Sequence, residues 1–435
     1  MTTCFTRCGI NKPRLPAHDA AGRLTSYTHT TPGLNQSFDY DAPDRLSGIT
    51  TPQGNWSYQY DPNGNRTLHR SGNNDYLYTY ALGSNRLQSV TGPVAKTYQY
   101  DTAGNVIHDG TYAYTYNDAG RLASLTWNGQ TTSYRHDGLG ARTRKTGRGA
   151  ANGEEHYVHD DDGKRLGDYA ANGARLQETL WLDDQPVAVL TGPGPGTPLY
   201  VHADHLNAPR VLTDTANRIV WRWDGDAFGV GLANEDPDGD GVMVKYTLRF
   251  PGQHYDGESG LHDNYFRSYD PRTGRYTGFD LIGLGGGANG YAYVNGNPIS
   301  YTDPLGLFCT YNQATGSMVC QNNTTGQVYY DRPGYSGTGT GRNNPAAQGQ
   351  ESVGPIPRGD WEVGSPYNSS NTGSNTIRLT PRPGNTCSNT GRDCSSFRMH
   401  GNNTSNDASH GCIILPPNRT VIPAGETVRV ISGDD

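Results

Sequence analysis

The sequence predicts a mainly β protein: a β-hairpin array, a β-rich central segment, and a small β domain with a cysteine site. Three observations predict it. A Tyr-x-Tyr-Asp-x-x-Gly-Asn pattern recurs about every 20 residues through the first half. Gly (58) and Tyr (29) abound while only 33% of the chain is hydrophobic, a balance that favours strands and tight turns over helices. The last third alternates short strand-like stretches, such as "TGQVYYDRPG", "NTIRLTPRPG" and "TVRVISG", with polar loops. At 435 residues the chain is expected to form two or three domains.

The array comes first. Its units read "FDYDAPDRL" (38–46), "YQYDPNGNR" (58–66), "YTYALGSNRL" (78–87), "YQYDTAGNV" (98–106), "YTYNDAGRL" (114–122), "YRHDGLGAR" (134–142) and "YVHDDDGKR" (157–165). Tyr40, Tyr60, Tyr80 and Tyr100 are 20 apart, and Tyr116 and His136 continue the series. Each unit alternates, turns on Asp-x-x-Gly-Asn, then alternates again, which is a hairpin with Gly at a positive-φ position. One hairpin cannot bury its face, but a stack can. The tyrosines are therefore read as structural. "HDAAGRLTSY" (18–27) is a degenerate unit, so the chain is expected to start inside an array.

These units resemble the tyrosine–aspartate (YD) repeats of Rhs proteins. From 199 onward, "LYVHADHLNAPRVLTD" and "RFPGQHYDGESGLHDNYFRSYDPRTGRYTGFDLIGLGGGANGYAYVNGNPISYTDPLGL" resemble the Rhs repeat-associated core. The expected domains are a YD-repeat array (1–198), the Rhs core (199–307) and a C-terminal toxin domain (308–435). The resemblance implies a β-shell around a variable toxin. It also implies a cut after the motif Asp303-Pro304-Leu305-Gly306-Leu307, made by paired aspartates. Two close carboxylates cannot both ionise, so one serves as acid and one as base. Asp270 and Asp280 are the candidates, with Arg267 as their charge partner and Leu307 as the last residue before the cut. Asp270 precedes Pro271 and also reads as a turn residue. "NEDPDGDG" (234–241) has the alternating acids of a Ca²⁺ loop but no terminal Glu, so a solvated turn is expected.

Charge narrows the function. The net charge is -7, and residues 308–435 hold nine Arg, no Lys, six Asp and three Glu. A basic groove for nucleic acid is therefore not expected. No apolar run is long enough to span a membrane, and the opening residues have no apolar core of a Sec signal. Seven cysteines are present. Cys309 and Cys320 flank a hairpin-like stretch, and Cys387 and Cys394 a loop. Two local disulfides would leave Cys412 as a thiol; four reduced, buried cysteines are the other reading.

The chemistry concentrates in "RMHGNNTSNDASHGCIIL" (398–415). A thiol attacks a carbonyl once an imidazole takes its proton, and Gly-rich backbone N–H groups supply an oxyanion site. His400 is the candidate base, Cys412 the nucleophile, and Gly411 part of the oxyanion site. Zinc binding by His400, His410 and Cys412 has untypical spacing and no fourth ligand, so no metal is expected. His-Gly followed by Ser-His-Gly-Cys resembles the L,D-transpeptidase motif. With "YSGTGTGRNNP" (335–345) and "VGPIPRGDWEV" (353–363), it resembles the L,D-transpeptidase effectors of type VI secretion. The resemblance implies that Ser409, His410 and Gly411 shape the site. Arg398 and Gly401 are substrate-side candidates; Arg398 also reads as a residue alternating outward. Ile413 and Ile414 stand where that family carries Arg or Asn.

The resemblance implies a secreted antibacterial toxin acting in a target periplasm, with no cofactor. Peptidoglycan stem peptides are the implied substrate, and an immunity protein and secretion components the implied partners. Two other classes stay open. One is a surface contact protein built on YD repeats with an inactive C-terminal domain. The other is a cysteine amidase or peptidase acting on another cell-wall bond.

Overall fold

The computed structural model describes residues 15–20, 23–28, 35–160, 163–192, 194, 196–279, 289–303, 308–321, 328–381, 385, 387, 390–402, 411–416, 419, 422 and 427–432. The chain divides into two compact units, Met1–Phe279 with Ala288–Leu305, and Asp280–Gly287 with Gly306–Asp435. The described residues are nearly all β, with only short 3₁₀ turns besides.

In the first unit the strands pair strictly with their chain neighbours. Nine strands from Leu15–His18 to Lys96–Thr97 form one antiparallel meander, and thirteen from Gln99–Tyr100 to Ile219–Arg222 form another. The second meander runs without a break through residue 198.

The repeat motif explains itself in these hairpins. Asp61 N–H donates to Asn65 O at 2.9 Å and Gly64 N–H to Asp61 O at 3.0 Å, closing the turn. The Asp61 carboxylate accepts from Asn65 N–H and Asn65 Nδ2, both at 2.9 Å. Gly64 sits at φ 78°, where glycine is favoured. The register shifts at the second aromatic of each motif, at Gln59/Tyr60, Thr79/Tyr80 and Thr115/Tyr116. This bulge kinks the strand at the same point in successive units. The hydroxyl of that aromatic ties the unit to an earlier one: Tyr60 to Leu46 O at 2.9 Å and Tyr80 to Arg66 O at 2.7 Å. The first aromatic of each pair, such as Tyr58, Tyr78, Tyr114 or Tyr134, is buried, as are Leu46, Leu68, Leu87 and Leu122 after the turns.

A four-stranded sheet (His254–Asp256, Leu261–Asn264, Arg267–Asp270, Arg275–Tyr276) follows. Side chains of this sheet and of the segment after it reach far back along the chain to the repeat turns. Arg275 donates to Asn65 Oδ1 at 2.7 Å, Tyr291 to Gly104 O at 2.8 Å, and Asn297 to Asp44 O at 2.9 Å. Buried Arg142 bridges Asp256 at 2.7 Å and Asp263 at 3.1 Å. Buried charge survives only when matched in this way.

The second unit is one nine-stranded mixed sheet. Val328–Pro333 lies at one edge and Tyr335–Ser336 at the other. Two pairings are parallel: Phe308–Asn312 with Thr427–Ile431, and Arg398–His400 with Ile413–Ile414. Trp361, Val363, Ile377, Leu379, Met399 and Ile413 are among its core residues. Disulfides join Cys309 to Cys320 and Cys387 to Cys394, and Cys412 keeps its thiol.

Candidate active site

The site grows from the strand Arg398–His400. On one side it pairs antiparallel with Gly373–Pro381 (Ile377↔Met399), on the other in parallel with Ile413–Ile414 (Met399↔Ile413, His400↔Ile414). Met399 and Ile413 are fully buried in the core. Side chains alternate along a strand, so Arg398 and His400 occupy the other face. Extending the parallel register by one residue sets Cys412 beside Arg398, and a backbone hydrogen bond from Arg398 reaches the Cys412 thiol. The imidazole thus comes from one strand and the thiol from the residue before its neighbour.

His400 Nδ1 lies 2.9 Å from Gly401 O. A carbonyl only accepts, so Nδ1 carries the proton and Nε2 keeps its lone pair. Burial lowers the His400 pKa from 6.5; the Gly401 bond opposes the shift and the Arg419 charge adds to it. Arg419 is pinned by the carbonyls of Asn375, Ser374 and Pro416 at 2.9, 2.9 and 3.1 Å. Burial raises the Cys412 thiol above 9.0, against the pull of the Arg398 backbone bond and the Arg398 and Arg392 charges. The resting pair is therefore neutral thiol and neutral imidazole. That is a general-base arrangement rather than a preformed ion pair.

Gly411 turns the chain into Cys412 at φ 113°. A side chain there would strike Arg392 Nη2 and come within 2.9 Å of Phe397 Cε1, so only glycine fits. Ser336 Oγ donates to Gly411 O at 2.9 Å and accepts from Ile356 N–H at 2.8 Å. Tyr335 donates to Asn402 Oδ1 at 2.6 Å, and the Arg342 guanidinium lies 3.7 Å from the Tyr335 ring centre. Both upstream motifs, "YSGTGTGRNNP" and "VGPIPRGDWEV", are thereby wired to the cysteine turn.

The structure brings together Cys412, His400, Gly401, Gly411 and Arg398. Arg398 Nε donates to Tyr367 Oη at 2.9 Å, and Nη1 to Ser395 O and Phe397 O at 2.6 and 2.7 Å. Its charge serves the thiol's surroundings. Ser409 and His410 lie outside the described residues, as do Asp280 and Leu307. Two site residues escaped the sequence reading. Ser336 sits inside a quoted motif but was not singled out, and Arg392 lies within the Cys387–Cys394 loop.

At the predicted cut Asp280 lies outside the described residues, and Arg267 is described beside Asp303. It lies 3.4 Å from Asp303, which also accepts from Tyr276 Oη at 2.6 Å, and its guanidinium stacks 3.5 Å from the Tyr276 ring centre. Asp270 is instead held by Arg272 at 2.7 Å and closes a turn through its own carbonyl to Gly274 N–H. The turn reading of Asp270 describes this geometry. Among the described residues, one set of acids could hold a cation, Asp236, Asp238 and Asp240. Arg218 already places positive charge 3.6 Å from Asp238 and 3.9 Å from Asp240.

Residues 17–284 match the Teneurin YD-shell family model, well over half of the chain. The chain belongs to that family. Residues 331–429 match the Tlde1 domain. Among curated relatives, the chain is 42% identical over 115 residues to "Double-stranded DNA deaminase toxin A" of Burkholderia cenocepacia, covering 26% of this chain and 8% of the relative. It is 34% identical over 135 residues to "Toxin protein Tse5" of Pseudomonas aeruginosa, covering 31% of this chain and 10% of the relative. It is 31% identical over 228 residues to "Probable deoxyribonuclease RhsA" of Dickeya dadantii, covering 48% of this chain and 15% of the relative. The chain thus spans a small fraction of each relative's length.

Proposed function

We propose that this chain belongs to an Rhs-type interbacterial toxin, and that residues 308–435 are a cysteine enzyme acting on peptidoglycan stem peptides. One observation carries the reading: His400 lies on a strand paired in parallel with Ile413–Ile414, which Cys412 immediately precedes, within a segment that matches the Tlde1 domain. In this mechanism His400 Nε2 takes the Cys412 proton as sulfur attacks the carbonyl of the third stem residue. Backbone N–H groups around Gly411 and Cys412 hold the oxyanion. The terminal D-Ala nitrogen takes the proton back from His400 and leaves, and a thioester remains. Water resolves it in L,D-carboxypeptidase action, and a D-amino acid amine resolves it in exchange. Either removes donor stems from cross-linking. Ser409 and His410 are assigned to shaping this loop and Arg398 to the substrate side.

The relatives named as a DNA deaminase and a deoxyribonuclease differ from this reading in chemistry. The lysine-free, charge-balanced segment 308–435 favours a cell-wall substrate over nucleic acid. Action in a target periplasm, an immunity partner and delivery by a secretion system belong to the same proposal. So does a cut after Leu307 that uses Asp280.

The test is incubation of the full chain, wild type and Cys412→Ala, with purified tetrapeptide muropeptides followed by mass. Loss or exchange of one D-Ala in the wild type alone supports the reading. Loss of a whole stem selects an amidase. No change, with the protein folded, selects a contact protein. A single band near 47 kDa on a denaturing gel, unchanged in Asp280→Asn, would count against the cut.

A further inference from the structure

Arg392 is nine-tenths buried, in a loop closed by Cys387–Cys394. Its Nη1 donates to three carbonyls, Pro355 at 2.6 Å, Gln348 at 2.9 Å and Gly354 at 3.3 Å. Its guanidinium lies 4.7 Å from the Phe397 ring centre. It also covers the Cα of Gly411, the residue before the nucleophile, so closely that no side chain fits there. Three loops far apart in sequence thus fix one cation under the cysteine turn. A fork of donors this constrained cannot swing to a substrate.

We propose that Arg392 is a positioning residue of the cysteine site: it holds the Gly411 turn and supplies a fixed positive charge to the Cys412 sulfur, with the Cys387–Cys394 disulfide as its tether. This rests on the reading of Cys412 as a nucleophile, but not on the identity of the substrate. The role suits a resting thiol that burial keeps protonated. Thiolate develops only as His400 takes the proton, and a fixed cation stabilises that developing charge without reorganising. Among the described residues, the charged and titratable groups around this pair are Arg398 and His400 on the neighbouring strand, and Glu351 near Arg392.

The test needs no cell-wall substrate. Alkylation of Cys412 by iodoacetamide is followed by peptide mass across pH, in the full chain, for wild type, Arg392→Gln and Arg392→Lys. Loss of a cation at this range should move the midpoint upward by about one pH unit, and Arg392→Lys should recover most of the shift. The double variant Cys387→Ser/Cys394→Ser should move it in the same direction. A midpoint unchanged in Arg392→Gln, with the remaining disulfides and the melting temperature intact, overturns the charge role. If Arg392→Gln fails to fold, the Cys387→Ser/Cys394→Ser profile decides: a midpoint matching wild type overturns the proposal. Normal alkylation shifts with no turnover of muropeptides would instead count against the substrate reading alone.

Discussion

The hairpin array and the cysteine domain are built from similar strands but on opposite plans. In the array, one unit's contacts recur: Asp61 closes its own turn, and Tyr60 and Tyr80 each reach back to a carbonyl 14 residues earlier. In the cysteine domain the contacts that tie the site together are made once, and several span long stretches of sequence. Ser336 meets Gly411 across 75 positions, and Arg392 meets Gly354 across 38. Repetition spreads stability over many equivalent small terms, while the site depends on a few that have no substitute.

The largest test of this contrast is a pair of deletions of one functional group. Cys412→Ala should lower any turnover by about 10⁴-fold or more. Tyr60→Phe should leave turnover unchanged. A loss of activity in Tyr60→Phe would show that the site draws on the array. Next in size is Gly411→Ala, which forces a Cβ into Arg392 at φ 113°. It should cost about 2–4 kcal/mol locally and shift the pH midpoint of Cys412 alkylation. In contrast, alanine at Gly64 meets no atom within 4 Å and carries only the backbone cost of its φ, about 1 kcal/mol.

The two regions should also part company in pH. In the first unit His254 and His262 are fully buried, and burial holds both well below 6.5. The unfolded chain binds those protons near 6.5 while the folded one does not, so stability is lost as pH falls below that value. The slope is about 1.4 kcal/mol per pH unit for each histidine, and thermal melts from pH 7 to 5 would read it. In the cysteine domain acid acts through one group: activity should fall only below pH 6.5, as His400 Nε2 takes a proton. An acid limb above 6.5 would contradict the buried geometry. The smallest effect is the hydroxyl itself, with Tyr60→Phe costing about 1 kcal/mol in chemical unfolding.

Legibility in the sequence follows the same division. The array was readable because its motif residues act on neighbours four or fourteen places away, so spacing alone encodes the contact. His400 and Cys412 were readable because the motif spells both partners in one segment. Arg392, Ser336 and the Arg267–Asp303 pair were not, since nothing local says which carbonyl, turn or carboxylate each will meet. The burial of Cys412, which outweighs the two arginines at its thiol, was likewise not legible in the glycines around it.

The tyrosine hydroxyls have a consequence for how such chains change over time. Each one reaches a single unit back, so nothing in the ladder measures its total length. A whole unit can be duplicated or lost with every surviving hydroxyl still finding its carbonyl. The limit comes from the later sheet: Arg275 is keyed to Asn65 across 210 positions and Asn297 to Asp44 across 253. Units that carry these sockets are fixed in place, and Asp44, Asn65, Asn85 and Gly104 hold four successive units this way.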